Sequence, residues 1–514
     1  MTRRFVSATQ DTFRSLRVRN FRLFFVGQTI SQSGTWLQMV ALSWLVLRLG
    51  GDGTDLGWVM AAQFLPMLLF GAWGGVVADR LDKHRLLLVT QTVSMAQAAA
   101  MSALVFTDVI NVGMVYALAA VLGLATAIDN PARRALVVEM VGPADVANAV
   151  SLNSAVMTTA RVIGPAVAGV LIATVGIGWC FAVNAASYLA VLAGLLLMRR
   201  RELSPSPRVT REKGQVRDGL RYVWSRPDLR VPLLLMAVVG TLGFNFQVVL
   251  PLLATRTFDG DAGTYSIMFS TMSVGSVVGA LTVARRRSVT PAFLARAALA
   301  FGAAMTAVAL SPTLPIAVAA GVLMGGTGVC FLSGSTALLN LRADPVMRGR
   351  VLALSAIVFL GSTPIGGPIV GWVSEHLGPR YGLGLGAAAS LLAGAAALHW
   401  VSTRSAALGP GEAGLDVDVV GQVEHPLGDD VPLHLAGAAA DGEGRREEEA
   451  VVPGSGVGPE RAPVGQHPAR AGEVLGQAHE PLPVLVGDDL ADRRLRARVL
   501  SFDPGRDRPE PDQP

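Results

Sequence analysis

The sequence predicts an all-α polytopic membrane protein, with twelve transmembrane helices arranged as two six-helix pseudo-repeat halves. Three observations predict it: twelve apolar runs of spanning length, a one-sided distribution of arginine, and short fragments that recur at a near-constant offset. The bulk composition agrees. Of 514 residues, 51% are hydrophobic and 16% charged, with a mean hydropathy of +0.47. A soluble domain of this size carries roughly 25% charged residues.

A membrane-crossing helix needs about 20 mostly apolar residues. Runs of that kind fall at 21–48, 56–78, 86–107, 112–130, 148–173, 177–198, 231–254, 264–284, 290–310, 314–338, 350–373 and 380–402. The first begins at Phe21 behind a cluster of arginines, and it is too long for the core of a cleavable leader. It reads as an uncleaved first span.

Charge placement tests the count. With the N-terminus inside, the cytoplasmic segments collect 29 Lys+Arg, among them Arg14, Arg17, Arg19, Arg199 to Arg201 and Arg285 to Arg287. The outer loops hold three, Arg48, Arg256 and Arg380, each near an acid (Asp52, Asp259, Glu375). Positive residues are retained on the cytoplasmic side during insertion. One span too many or too few would invert every later loop and destroy the asymmetry. A multi-pass protein of a bacterial inner membrane, with both termini cytoplasmic, is the expectation.

The repeat supplies the third observation. Gly34-Thr35-Trp36-Leu37-Gln38 in span 1 aligns with Gly243-Phe244-Asn245-Phe246-Gln247 in span 7, an offset of 209. Gly164-Pro165 in span 5 aligns with Gly367-Pro368 in span 11, an offset of 203, and Gly75 aligns with Gly279 at 204. Duplicated halves with a site at their interface are a recurring transporter design.

Five segments follow: an N-terminal cytoplasmic stretch (1–20), an N-terminal half (21–198), a central cytoplasmic loop (199–230), a C-terminal half (231–403) and a tail (404–514). Within the loop, Val216, Leu220, Val223 and Trp224 share one face of a helix over 215–230, as in a helix lying at a membrane surface. The tail has another composition. Through Arg404 the chain holds 33 Lys+Arg and 17 Asp+Glu; beyond it there are 10 and 21. One aromatic, Phe502, and no sustained period make the tail unable to bury enough apolar surface to order itself. It is expected to be disordered and is assigned no function.

The segment Gly75-Val-Val-Ala-Asp79-Arg80-Leu81-Asp82-Lys83-His84-Arg85 resembles the signature of the major facilitator superfamily between spans 2 and 3. The family form often has Gly where Asp82 stands. The resemblance implies the twelve-helix major facilitator fold and alternating access. It also implies gating roles for Gly75, Asp79, Arg80, Lys83 and Arg85, with Asp79 meeting a helix end of the opposite half. An ordinary basic loop explains the charges alone, but not the spacing. The corresponding place in the second half, Val283 to Arg287, keeps the arginines and lacks the Asp.

Arg161-Val-Ile-Gly164-Pro165, followed by Gly169, is similar to a shortened form of the antiporter motif that family members carry in span 5, and Gly367-Pro368 has a like place in span 11. Proline removes a backbone donor and small residues let helices approach. A charged residue near a span centre costs at least about 2.5–3.5 kcal/mol on insertion scales, so Arg161 must face a polar cavity or a partner. Both readings stand. Gln28, Gln32, Trp36, Gln38, Asn153, Phe244, Asn245 and Gln247 put amides and aromatic surface in spans 1, 5 and 7. Each amide alone is explained as helix glue; their concentration in spans that line the cavity in this family points to substrate contact.

Acids inside the spans are scarce. Asp129, at the end expected for span 4, can pair with Arg133 or with the basic loop at Arg80 to Arg85 as a gating network. The span-4 arginine frequent in drug–proton antiporters is absent from Ala119 to Ala125. The only lysines, Lys83 and Lys213, fit no phosphate-binding loop, and no HExxH or paired-cysteine site occurs; Cys180 and Cys330 sit singly in apolar runs. No enzyme, cofactor, metal or nucleic-acid chemistry is expected. The Asp129 to Val137 run and the Asn148 to Gly169 segment look like the enterobactin-exporter-like branch. That resemblance implies proton-coupled export of drug- or siderophore-like amphipathic molecules by a monomer. Import of a sugar or organic anion, and a non-transporting sensor or scaffold, remain as alternatives.

Overall fold

Hydrogen-bond geometry dictates the secondary structure. In hydrocarbon a backbone amide has no water to pair with, so a spanning segment is either a helix, which satisfies every group internally, or a strand of a closed barrel. The computed structural model describes residues 13–142, 144–204, 215–286 and 288–412, and among these every regular element is helical. After a 3-10 turn at Arg14–Arg17 come α1 (Arg19–Arg48), α2 (Gly53–Arg80), α3 (Lys83–Phe106), α4 (Val112–Val141), α5 (Val146–Thr174) and α6 (Ile177–Leu196). A short helix α7 (Gln215–Ser225) precedes α8 (Pro227–Gly243), α9 (Phe246–Phe258), α10 (Ala262–Ala284), α11 (Pro291–Ala309), α12 (Leu314–Arg342), α13 (Arg348–His376) and α14 (Pro379–Glu412).

Among the described residues, ten helices are long and apolar enough to cross a membrane, α8 and α9 counting as one, and eleven with the bent α2. The remaining long helix is α1. At 30 residues it is about 45 Å long, ample for a bilayer, but its amides and hydroxyls lower its hydropathy. The set accords with the twelve expected spans.

The helix starts are chemically marked. Asp52 and Asp55 form a reciprocal capping box at α2, and Asp82, Asn111, Asp261 and Thr290 cap α3, α4, α10 and α11. Several boundaries differ from expectation. Helix α4 runs through Pro131 to Val141 instead of ending near 130, because Ala132, Leu136, Val137 and Met140 are buried beyond the proline and offset its lost hydrogen bond. It stops where Gly142 adopts φ 70°, a conformation that favours glycine. Asp129 therefore lies inside the helix rather than at its end. The seventh span is broken at Phe244 and Asn245, where the Asn245 Nδ2 donates to Thr241 O at 2.7 Å and satisfies a freed carbonyl. The surface helix ends at Ser225, not 230, since Pro227 opens a new helix and holds Arg226 extended. Helix α14 continues beyond the expected 402, and the tail from 413 onward lies outside the described residues.

The halves pack alike. In the first, α1 packs on α5 and α6, and α2 on α4; in the second, α10 packs on α12 and α11 on α14. Across the halves, α2 lies against α13 and α5 against α10. Spans 2 and 4 touch through Gly123, where a Cβ would sit 2.0 Å from Gln63 O. The equivalent spans 8 and 10 touch through Gly275 and Gly279, at 1.9 Å from Val322 O and 2.1 Å from Gly326 O. Close backbone contact at matching helix pairs is the packing form of the repeat. On the first-half side Gly74 also makes a close approach, toward Ala127 O, beside its buried neighbour Gly75.

Candidate transport pathway

Low dielectric makes an unpaired charge costly, so ionisable groups inside a bundle have to find partners. Asp129, buried at 4% exposure, has three kinds of partner. It is ion-paired with Arg133 one turn on, and it accepts hydrogen bonds from Thr90 Oγ1 at 2.8 Å and Gln91 Nε2 at 2.7 Å. Arg133 in turn donates from Nη1 to Gln28 Oε1 at 2.7 Å. One carboxylate thus ties α4 to α3 directly and to α1 through the guanidinium.

At the arginine-rich end, where α1 begins and α2 turns into α3, Lys83 pairs with Glu139 of α4 at 2.9 Å, both largely buried. Asp129 pairs within its own helix, while the lysine of the basic loop takes Glu139. His84 is buried with Nε2 2.6 Å from Leu195 O. Asp79 is half-buried; Arg80 and Arg85 are exposed. The short helix α7 is clamped to the second half: Tyr222 donates to Asp344 at 2.7 Å, Arg226 bridges Asp228 and Asp344, and Arg350 reaches Asp218 at 3.7 Å. The hydrogen bond to Asp228 raises the Arg226 pKa above its ordinary value.

Where the halves face each other, α1 and α5 of the first half bring several polar and aromatic side chains together. Gln32 Nε2 is 2.7 Å from Met157 Sδ, and the guanidinium of Arg161 lies 5.3 Å from the ring centre of Trp36. Gly164 makes this possible: a Cβ there would be 2.5 Å from Trp36 Cβ, so only glycine lets α5 lie this close to α1. Trp36 reaches across to Phe269 of α10 at 6.2 Å between ring centres, and Gln247 Nε2 reaches Met39 Sδ at 3.2 Å. Asn153, half-buried, is two turns before Arg161 on α5. Pro165 and Gly169 are buried on the same helix, with Gly169 against Ser266.

Other amides expected at the cavity hold helices together. Gln38 is buried between Gln97 and Asn184, at 3.1 and 2.7 Å. Asn245 caps α8, and Gln28 is held by Arg133. Phe244 is the hub of a ring cluster in the second half, 5.1 to 6.5 Å from Phe246, Phe301, Phe331 and Phe359.

At the far end the halves interlock. Glu375 on α13 accepts from the Gly53 N–H at 2.7 Å and pairs with Arg256 of α9 at 2.8 Å. Tyr116 donates to Asp55 at 2.5 Å and steadies the same corner. Beneath, Gly57 faces Gly367 and Gly53 faces Gly371, where added Cβ atoms would lie 2.4 and 2.2 Å from the opposing carbonyl oxygens. Pro368 borders the contact. The sequence shows Glu375 only as the acid nearest Arg380; its latch role is not legible there, because its partners Gly53 and Arg256 are more than 100 residues away. Glu375→Gln keeps an acceptor for Gly53 and loses the ion pair with Arg256. The pair is partly exposed and contributes about 0.5–1 kcal/mol. The expected result is a two- to five-fold shift toward far-end opening, read as a spin-label distance between the ends of α2 and α13.

The sequence profile described as transmembrane secretion effector matches residues 10–409. The multidrug efflux pump Tap of Mycolicibacterium fortuitum is 28% identical over 67% of this chain and 87% of its own length. The staphyloferrin A transporter of Staphylococcus aureus is 26% identical over 51% of this chain and 66% of its own length. Macrolide efflux protein A of Streptococcus pyogenes is 22% identical, covering 70% and 91%. Among solved structures, the nucleoside transporter NupG superposes with a TM-score of 0.61 at 13% identity, covering 74% of this chain and 99% of that one. An inward-facing bacterial homologue of the lysosomal transporter Spinster gives 0.58 at 15%, covering 74% and 94%. At these identities the structural likeness establishes the fold.

Proposed function

The chain belongs to the transmembrane secretion effector family of major facilitator transporters, and from that premise we propose that it exports amphipathic small molecules of drug or siderophore type by proton-coupled alternating access. It is a multi-pass membrane transporter with a small-molecule substrate, not an enzyme. In the proposed arrangement it sits in a bacterial inner membrane as a monomer, with the arginine-rich end in the cytoplasm. The far-end seal then closes the outer side, and the cavity loads from within.

The observation that carries the reading is the buried carboxylate of Asp129, tied to three helices through Thr90, Gln91, Arg133 and Gln28. A proton taken up by Asp129 cancels its charge, frees Arg133 and loosens the tie to α1. Lys83 with Glu139 and the Asp79 to Arg85 turn act at the inner gate. Gln32, Trp36, Arg161 and Gln247, with half-buried Asn153 and Phe244, form the substrate surface. The efflux activities named for the relatives support the outward direction.

The test is accumulation of a lipophilic dye in cells expressing the full chain, with and without a protonophore. Export predicts at least a few-fold lower accumulation than in cells without the protein, erased by the protonophore. Accumulation unchanged by a folded, inserted protein would count against multidrug export.

A further inference from the structure

We infer that Arg161 is an anion-recognition residue, so that the preferred substrate is an amphipathic organic anion with a carboxylate beside an aromatic or apolar body. The inference rests on the transport reading above and names the substrate class of that site.

Charge accounting within the bundle leads to it. Among the described residues, the acids buried in the first half are already committed, Asp129 to Arg133 and Glu139 to Lys83. Glu375 is committed to Arg256 at the far end. Arg161 stands near the middle of α5, 15 residues from its start and 13 from its end. Among the described residues it has no ion-pair partner, and its Nε is buried without a hydrogen-bond partner. What faces it is the ring of Trp36 at 5.3 Å. A ring face attracts a cation but leaves the in-plane N–H donors of the guanidinium unused. An uncompensated cation at this depth is costly, and such residues characteristically mark substrate pathways. A carboxylate matches the fork of donors in two parallel bonds, which a point charge does not.

The neighbouring surface supplies the second half of the recognition. Trp36 bridges from Arg161 to Phe269 of the opposite half at 6.2 Å between ring centres. A ligand whose anionic group reaches Arg161 can lay an apolar body against these two rings. Because α1, α5 and α10 all contribute, such a ligand touches both halves. Lipophilic cations have no acid to meet in this place: Asp129 and its partners form a separate cluster.

Wild-type protein in nanodiscs is titrated with pyrenebutyrate and with pyrenebutylammonium, which share the apolar body and differ in charge. Saturable binding of the carboxylate at least ten-fold tighter than the ammonium is expected. Arg161→Gln should abolish the preference, and Arg161→Lys should keep part of it. If Arg161→Gln does not fold, the wild-type preference and the Lys variant decide. No saturable binding of the carboxylate, equal binding of the two probes, or a preference that survives Arg161→Gln overturns the inference. So does displacement of pyrenebutyrate by chloride at equal concentration, which would mark a site for any small anion. The export reading fails separately. Protonophore-sensitive extrusion of a cationic dye, with no selective carboxylate binding, sinks the anion inference alone. Carboxylate binding with no extrusion of either probe sinks export alone.

Discussion

Asp129→Asn is expected to abolish dye export and to destabilise the folded protein, by about 3–5 kcal/mol. The amide still accepts from Thr90 or Gln91, but the charge that neutralises Arg133 is gone, and Arg133 is left as an unpaired cation with its side chain 16% exposed. Stability loss alone would not separate a structural pair from a coupling residue. The double variant Asp129→Asn with Arg133→Gln does. Removing both charges relieves the unpaired cation, so thermal unfolding in detergent should recover most of the loss. Export should stay absent if the carboxylate carries the coupling proton. Recovery of export together with stability would reduce Asp129 to a structural partner.

Gly371→Val is expected to disable transport by preventing closure of the far end. A Cβ at this position already falls 2.2 Å from Gly53 O, a backbone atom that cannot swing aside. The two helices must separate, and overpacking of this kind costs about 1–3 kcal/mol. The cost falls only on the state in which α2 and α13 touch, which shifts the closed-to-open ratio by about 5- to 150-fold. Spin labels at the far ends of α2 and α13 should report a longer distance, and export should fall at least ten-fold. The same substitution at Gly384, where a Cβ meets nothing within 4 Å, serves as the control and should leave both readouts unchanged.

Much of this architecture was legible because the membrane imposes a simple grammar. Length and apolarity mark spans, arginine marks one side, and Asp or Asn marks helix starts, as Asp52, Asp82 and Asn111 do. What the grammar misses is depth along a helix. Pro131 and the polar residues around it resemble an end, yet buried side chains carry α4 another ten residues to Val141. The same holds for the site. Gln28 and Gln38 carry identical amides on one helix, but Gln28 meets Arg133 and Gln38 meets Asn184 and Gln97. Spacing places both on α1 and says nothing of which neighbour arrives there. Glu375 was harder still: its partners Gly53 and Arg256 lie in distant segments, and only the packed halves join them.

The polar character of α1 has a consequence for how the protein is made. Helix α1 is made before the other helices of the bundle, and among the long helices it is the poorest in apolar character. Its partners are synthesised later: Arg133 follows Gln28 by 105 residues, and Asn184 follows Gln38 by 146. At about 5–20 residues per second, the second interval lasts roughly 7–30 s. During that time the first helix carries unmet amides beside the insertion machinery. Biogenesis of the N-terminal half is therefore a waiting problem, in which the earliest helix is retained until the fourth and sixth are delivered to it.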